Sequence, residues 1–317
     1  MKDLYPQLVT VHDYCQLFSM DLDAVVISTP PATHFRIAKE CLEQGLHCLV
    51  EKPLTLSSFD ALELTKLAKA RSLKLMVGHT FEYNPAVRML KDIVDSGELG
   101  EIYYINTVRV NLGLFQLNLN VLWDLAPHDI SILHYVLGQK PTSVYAHGEA
   151  CILDGKHDVA YLYMQFPSDV IAHTHVSWLD PNKVRRITVV GSKKMLVYDD
   201  VENVEKIKIY DKGVEAPPYT DTFGDFHFSY RYGDVTIPYI RFTEPLTIEC
   251  QHFVDSIVND TEPQSNGESG LDVVRVLEAA QRSLESAGAV QQIQYVGAGE
   301  SVLVPTFSEK LTKVASC

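Results

Sequence analysis

Short apolar runs alternate with longer segments of helical periodicity throughout the first third of the chain. Each apolar run has the length and composition of a buried strand, and each intervening segment has the length of a helix. Strands that alternate with helices form parallel sheets with right-handed crossovers. This alternation therefore predicts an α/β domain. The strand-like and helical segments follow one another at 23–28, 33–44, 46–50, 58–71, 74–78 and 85–95.

From Glu101 onward the pattern changes to strand-like runs joined by short turns, which is typical of an antiparallel sheet. Two helices are predicted to close the chain, at 246–258 and 268–287, and the second carries an apolar stripe on one face. We therefore expect an α+β second domain, with one large, mainly antiparallel open sheet and helices on one face. The predicted strands are 102–111, 142–150, 158–166, 170–178, 185–191 and 194–198.

The composition limits the classes of partner. The net charge of −14 predicts repulsion from nucleic acids and from anionic membranes. The six cysteines include no C-x-x-C pair, which argues against a zinc ribbon or a disulfide framework and favours a reducing, cytoplasmic setting. No apolar run approaches the roughly 20 residues that a membrane span needs, and the first residues lack the apolar core of a secretion signal. We expect a small-molecule partner.

The tripeptide Glu51-Lys52-Pro53 directly follows one of the predicted parallel strands. Proline cannot donate to a strand ladder, so the strand must end there. Lys52 therefore lies at the carboxyl end of the sheet, the edge at which open α/β sheets bind ligands. Its ammonium is suited to hold a substrate oxygen or a cofactor amide, but for the tripeptide taken alone a solvated lysine beside a proline turn is the favoured explanation.

Asp124 and His128 are four positions apart, which places them on one face of a helix. Because Pro127 is best tolerated in a first helical turn, we expect the pair at a helix start. The positive end of the helix dipole would there attract anions and keep a histidine neutral, able to accept a proton from a hydroxyl. The alternative is an N-capping aspartate beside a core histidine.

Taken together, three motifs resemble those of the Gfo/Idh/MocA family of NAD(P)-dependent oxidoreductases. The resemblance covers nearly the whole chain and implies hydride transfer between a nicotinamide and a ring hydroxyl of a sugar or nucleotide-linked sugar, by a homodimer or homotetramer. The sequence around Trp123 looks like that of the subgroup that oxidises nucleotide-linked sugars. In chain order, the motifs are Thr29-Pro30-Pro31, Glu51-Lys52-Pro53 and the helix with Asp124 and His128.

The resemblance also implies roles for individual residues. His128 would be the acid/base, Lys52 would orient the substrate hydroxyl and the nicotinamide, and Asp124 would bind or polarise the substrate. A metal site is not expected, because the pair His173 and His175 lacks a third ligand. The implied contacts to NAD or NADP are Ser28, Thr29, Pro30, His34, Glu51 and Lys52. The expected substrate contacts are Tyr83, Asn84, Arg109, Asn111 and Trp123, and Glu82 stands where the family usually has arginine.

A dinucleotide-binding domain normally opens with a strand, a G-x-G-x-x-G turn and a helix. The nearest match, Gly297-Ala298-Gly299, precedes no helix. By the resemblance, residue 1 falls just after the second strand of the family's nucleotide domain. We therefore expect residues 1–100 to form a partial Rossmann domain that lacks its first βαβ unit, and residues 101–317 to form the substrate and oligomerisation domain, with a poorly ordered tail after about residue 300.

The missing glycine-rich turn leaves two alternatives open. In the first, further residues upstream of Met1 carry the turn, and the protein is a dehydrogenase. Alternatively, residues 1–20 fold back over the exposed edge of the first strand, and the chain is a non-catalytic binding or scaffold homologue that has lost its cofactor.

Overall fold

The computed structural model describes residues 5–215 and 228–295. The predicted tail and the Gly297 segment lie outside these residues. The helices and strands of the described residues are, in chain order, β1 (Ala24–Ile27), α1 (His34–Glu43), β2 (His47–Glu51), α2 (Ser58–Ala70), β3 (Leu75–Gly78), α3 (Pro85–Asp95), β4 (Ile102–Val110), α4 (Val121–Leu137), β5 (Ser143–Glu149), β6 (Val159–Gln165), β7 (Ile171–Ser177), β8 (Val184–Gly191), β9 (Met195–Asp199), β10 (Ile207–Glu215), β11 (Ser229–Thr236), α5 (Pro245–Val258), α6 (Gly267–Glu285) and β12 (Gln291–Gln292).

The first sheet is parallel, in the order β1-β2-β3, as the alternation of strands and helices predicts. Its central strand is buried, with Cys48 and Val50 fully covered, because helices pack against it. Within the described residues β1 pairs only with β2, and the Val26 side chain is 61% exposed. Residues 5–20 do not pair with β1. They pass beside α1 instead, where the Tyr14 hydroxyl donates to Glu40 Oε2 at 2.7 Å.

The second sheet has nine strands within the described part of the chain, in the order β11-β10-β9-β8-β4-β7-β6-β5-β12. It is mixed and not wholly antiparallel, because β4 pairs antiparallel with β8 and parallel with β7. The strands β10, β11 and β12 were not predicted. They lie at the two ends of the sheet, where β10 and β11 carry many exposed polar residues, and strands of that kind lack a clear apolar signal.

The helix α4 differs from its prediction. It begins at Val121, where the Asn120 side chain accepts a hydrogen bond from Trp123 N at 3.2 Å, so Pro127 lies inside the helix and not in its first turn. Asp124 is in the first turn, and His128 lies one turn further on. An internal proline is tolerated here because α4 is buried along most of its length, and this packing outweighs the cost of the proline.

The last long helix, α6, packs against elements of both sheets. It contacts α2 and β3 on one side and α4 and β5 on the other. The Glu278 carboxylate accepts hydrogen bonds from Ser58 N at 2.7 Å and from Ser58 Oγ at 2.6 Å, and so caps the start of α2. The strands of the two sheets come from different parts of the chain, before and after residue 100. The two sheets nevertheless share a continuous apolar core.

Candidate active site

The Lys52 side chain reaches from the carboxyl end of β2 to the first turn of α4. Its Nζ atom donates to the main-chain oxygen of Asp124 at 2.7 Å and lies 3.5 Å from Asp124 Oδ1. Burial lowers the pKa of Lys52, and the negative charges of Asp124 and Glu51 partly oppose this shift. The structure therefore brings together two of the three residues predicted to be catalytic, although they are far apart in sequence.

The contact between Lys52 and α4 joins the two sheets. The missing N–H of Pro127 leaves the carbonyl of Trp123, four residues earlier, without its intrahelical donor. Lys52 donates to the next carbonyl along, that of Asp124, and so attaches the first turn of α4 to the edge of the first sheet.

The third predicted catalytic residue, His128, lies one turn along the same helix and is partly exposed. Its Nδ1 atom is buried without a hydrogen-bond partner in the described chain, and its ring meets Phe81 edge-on at 5.1 Å between centroids. Burial lowers the pKa of His128 well below its ordinary value, and the positive charges of Lys52 and Arg109 lower it further. His128 is therefore a neutral imidazole at pH 7, able to accept a proton.

A second neutral histidine, which the sequence reasoning did not select, lies directly after β3. His79 is 1% exposed, and neither ring nitrogen has a partner among the residues described. Burial, followed by the charge of Lys52, lowers the pKa of His79 to about 3. Its place at the carboxyl end of a predicted parallel strand was the available signal. The edge that carries Lys52 therefore holds two uncharged imidazoles.

Arg109, predicted to bind substrate, is engaged elsewhere. Its Nε and Nη2 atoms donate to the two carboxylate oxygens of Asp129 at 2.8 and 3.3 Å, and both residues are buried. The guanidinium also lies over the Phe81 ring, 4.4 Å from its centroid. Arg109 therefore forms a buried ion pair next to the ring that contacts His128, and two of its donors are directed at Asp129.

Two further predicted substrate contacts, Tyr83 and Asn84, have hydrogen-bond partners within the protein. Tyr83 is fully buried, with its hydroxyl 2.9 Å from Ser265 Oγ. The Asn84 side chain caps α3 by accepting from Ala86 N at 2.9 Å, so it too has a local partner. Tyr83 is therefore corrected to a core residue, because a fully covered side chain cannot touch a ligand.

The other two expected substrate contacts lie at the two ends of the loop that joins β4 to α4. Asn111 follows the last residue of β4 and is half-buried, and Trp123 lies in the first turn of α4 with 9% exposure.

A cavity of about 230 Å³ lies beside Phe81. Its lining residues are Thr80, Phe81, Asn84, Asp200, Phe242, Glu244 and Pro245.

The predicted cofactor residues meet a second cavity, of about 360 Å³, at the carboxyl end of β1. Ser28, Thr29 and Pro30 line one side, and the loop that precedes α4 lines the other with Gln116 and Leu119. Glu51 is the last residue of β2 and directly precedes Lys52. Its Oε2 atom accepts a hydrogen bond from Lys52 N at 3.2 Å. The structure therefore gathers most of the predicted cofactor residues at one sheet edge.

His34 is the exception among the predicted cofactor residues. It is fully buried, with Nδ1 2.9 Å from Pro53 O and Nε2 2.8 Å from Thr29 O. Both ring nitrogens are thus occupied by main-chain oxygens, so the prediction of a direct cofactor contact is corrected. His34 instead connects the turn after β1 to the residue after Lys52, and this link holds the cavity next to the lysine.

These features fit the nicotinamide end of NAD(P). The cavity after β1 offers hydroxyl and main-chain groups, and a lysine ammonium lies on the same sheet edge. The unpartnered nitrogens of His79 and His128 show that this edge holds buried polar atoms without a partner in the described protein. Buried polar atoms of this kind are normally satisfied by water or by a ligand.

Glu82, which stands where the family usually has arginine, adds little negative charge. It is 5% exposed, and its Oε2 atom accepts from Gln264 Nε2 at 3.3 Å. Burial is the main cause that raises the pKa of Glu82 to about 8; the hydrogen bond from Gln264 opposes this shift, and the nearby Glu249 adds to it. The carboxyl group is therefore mostly protonated at pH 7, and the departure from arginine replaces a cation by a neutral group.

Two arginines of β8 and one histidine of the predicted pair have partners within the described residues. Arg185 pairs with Asp200 at 3.3 Å, and Arg186 pairs with Asp199 at 3.1 Å. His173 lies on the outer sheet face, where its Nδ1 atom is 2.7 Å from Asn106 Oδ1.

No helix in residues 5–215 and 228–295 is long and apolar enough to cross a bilayer.

Comparison with known proteins agrees with this architecture. The family profile described as "Oxidoreductase family, NAD-binding Rossmann fold" matches residues 5–79, and "GFO/IDH/MocA C-terminal domain" matches residues 87–197. A UDP-N-acetylglucosamine 3-dehydrogenase from Acidithiobacillus ferrooxidans is 31% identical over 201 residues, which are 62% of this chain and 61% of that protein. The scyllo-inositol 2-dehydrogenase (NAD(+)) of Bacillus subtilis is 28% identical over 76% of this chain and 69% of its own length.

Solved structures give the same result. A putative oxidoreductase from Magnetospirillum magnetotacticum superimposes with a TM-score of 0.73 and 31% identity, over 87% of this chain and 85% of that one. The UDP-N-acetylglucosamine 3-dehydrogenase from A. ferrooxidans gives a TM-score of 0.70 at 25% identity, over 87% and 83% of the two chains. None of these three proteins supports the non-catalytic alternative. The chain belongs to the Gfo/Idh/MocA family of NAD(P)-binding oxidoreductases.

Proposed function

We propose that the protein oxidises a ring hydroxyl of a sugar, a cyclic polyol or a nucleotide-linked sugar, with NAD or NADP as cofactor. The convergence of Lys52, Asp124 and a neutral His128 between the two sheets carries this proposal. The relatives support the substrate class, because one is named for UDP-N-acetylglucosamine and another for scyllo-inositol.

Each of the three residues has a part in this chemistry. His128 accepts the proton that leaves the substrate hydroxyl, because its imidazole is neutral and has a free nitrogen. Lys52 holds the substrate oxygen with an ammonium donor, and Asp124 accepts a hydrogen bond from a neighbouring hydroxyl. When bound, NAD(P)⁺ supplies the hydride acceptor, and the protein contributes position and proton transfer.

The test of the proposed base is His128→Ala. We expect turnover to fall by roughly 100-fold or more, the usual contribution of a positioned acid/base group. The assay follows NAD⁺ and NADP⁺ reduction with scyllo-inositol, myo-inositol and UDP-N-acetylglucosamine. The control is His12→Ala, an exposed histidine outside the proposed site. Equal rates for wild type and His128→Ala would remove His128 from the mechanism.

Cofactor binding is tested without any substrate. A ligand present at 100 times its dissociation constant stabilises the folded state by about 2.7 kcal/mol, which raises the melting temperature measurably. We expect such a rise with NAD⁺ or NADP⁺, and comparing the two identifies the preferred cofactor. A melting temperature that neither nucleotide changes at millimolar concentration would favour the non-catalytic scaffold.

We also propose that the outer face of the second sheet binds a second copy of the chain. Aromatic rings cover this face across β5, β6 and β7, where Tyr145 stacks on Tyr163 at 4.6 Å between centroids. Tyr161, Tyr163 and Ile171 are each 40% exposed or more. A contiguous exposed aromatic surface of this kind marks an interaction site, and identical subunits most often associate with two-fold symmetry.

A further inference from the structure

We propose that Trp178 is a positioning residue that fixes the Asp124 carboxylate for the reaction, an inference whose catalytic part rests on the proposed function. The indole Nε1–H donates to Asp124 Oδ2 at 3.0 Å. The other carboxylate oxygen, Oδ1, lies 3.5 Å from Lys52 Nζ. The two oxygens therefore have different neighbours, and Oδ1 is the one that remains for a substrate hydroxyl.

The indole itself is held rigidly, which a positioning group requires. Trp178 is 2% exposed, its main-chain N donates to Asp158 O at 2.9 Å, and its main-chain O accepts from Gly113 N at 3.0 Å. Its ring packs on Phe115 with centroids 5.3 Å apart. A Cβ atom at Gly113 would lie only 3.1 Å from Trp178 Cδ1, so the loop before α4 closes tightly over the ring.

Lys52 alone does not fix the Asp124 side chain. At 3.5 Å its Nζ atom is beyond ordinary hydrogen-bond distance of Oδ1, whereas its short contact, at 2.7 Å, is with the Asp124 main chain. That main-chain contact would survive any rotation of the carboxylate. The hydrogen bond from Trp178 is therefore the interaction that selects one side-chain orientation, and a bond to an ionised acceptor is among the stronger ones.

The hydrogen bond can be observed directly, because the chain has only two tryptophans, Trp123 and Trp178. In protein labelled with [¹⁵N]tryptophan we expect two indole N–H signals, which Trp123→Phe assigns. Asp124→Leu, which removes both acceptors, should move the Trp178 signal upfield and speed its exchange with water. The control Asp180→Leu, beside Trp178 in sequence, should leave the signal in place. A Trp178 signal that Asp124→Leu does not change would overturn the inference.

The catalytic consequence is tested by replacing tryptophan with its benzothiophene analogue, in which sulfur takes the place of the N–H. In a Trp123→Phe background only residue 178 is replaced, and ring shape and packing are kept. We expect kcat to fall about 10-fold relative to the same background with tryptophan, while KM and melting temperature change little, since one charge-assisted hydrogen bond is lost.

A packing control separates position from stability. Phe115→Leu loosens the packing beside Trp178 but keeps the indole donor, so the melting temperature should fall while kcat falls less than it does in the benzothiophene protein. An unchanged kcat in the benzothiophene protein would overturn the inference even if the N–H signal responds to Asp124. Wild-type inactivity with both cofactors and all three test substrates would instead overturn the proposed function, and the catalytic part of this inference with it.

Discussion

Removing the negative charge from the Arg109–Asp129 pair should destabilise the protein more than any surface substitution. Arg109 is 5% exposed and Asp129 is 1% exposed, and two hydrogen bonds of 2.8 and 3.3 Å join them. Asp129→Asn keeps the shape of the side chain but leaves a buried guanidinium without a counter-charge. Breaking one partner of a buried pair costs about 3–5 kcal/mol, so we expect a loss of that size in the free energy of unfolding.

The assay is urea unfolding followed by circular dichroism. The matched control is Asp199→Asn, which breaks the partly exposed pair with Arg186, whose side chain is 51% exposed. Exposed pairs contribute about 0–1 kcal/mol, so the control should unfold nearly as wild type does. The double variant Arg109→Met with Asp129→Leu should recover much of the lost stability, because apolar residues replace both buried charges at once.

The same experiment separates a structural Arg109 from a substrate-binding one. If Arg109 bound substrate, Asp129→Asn would leave the stability within about 1 kcal/mol of wild type and chiefly raise KM. The structure predicts the opposite order, with a large loss of stability. It also predicts a secondary loss of activity, because Phe81 lies between the guanidinium, at 4.4 Å, and the His128 ring, at 5.1 Å. Equal urea midpoints for Asp129→Asn and Asp199→Asn would refute this reasoning.

Two further outcomes follow from buried and exposed groups. Burial raises the pKa of Glu82 from 4.5 to about 8, so the unfolded chain loses this proton at lower pH than the folded chain. The buried Glu82 carboxyl therefore makes the folded state less stable as pH rises from about 4.5 to 8. Glu82→Gln should flatten this decline in urea midpoints, whereas Glu262→Gln, at an exposed position, should not. Tyr163→Glu should convert a dimer to a monomer by light scattering, and a monomeric wild type at micromolar concentration would contradict the proposed interface.

Local signals explain the elements that could be predicted closely. The helix 85–95 was predicted with its observed bounds, because Asn84 is a capping residue, Pro85 suits the first helical position, and Gly97 follows its end with φ of +71°. The parallel order of β1, β2 and β3 likewise follows from strand–helix alternation, a pattern that needs no distant contact.

Pairings between distant residues could not be predicted from the sequence. No local pattern shows that β4 lies between β7 and β8, or that Arg109 meets Asp129. The position of Pro127 was misjudged for a related reason, since a rule for isolated helices was applied to a helix that is stabilised by burial and by a lysine from the other sheet. Tertiary packing overrides local preference wherever a helix is mostly buried.

Protonation states were the other quantity that sequence could not supply, and they decide the chemistry of the site. His128 was expected to be neutral because of a helix dipole, but the larger cause is burial, reinforced by the positive charges of Lys52 and Arg109. The same burial keeps His79 uncharged, so Lys52 lies among neutral imidazoles at the sheet edge. The positive charge of Lys52 is balanced by the acidic Asp124. Because the imidazoles are uncharged, they do not compete with Lys52 for that carboxylate, and His128 is free to take a proton.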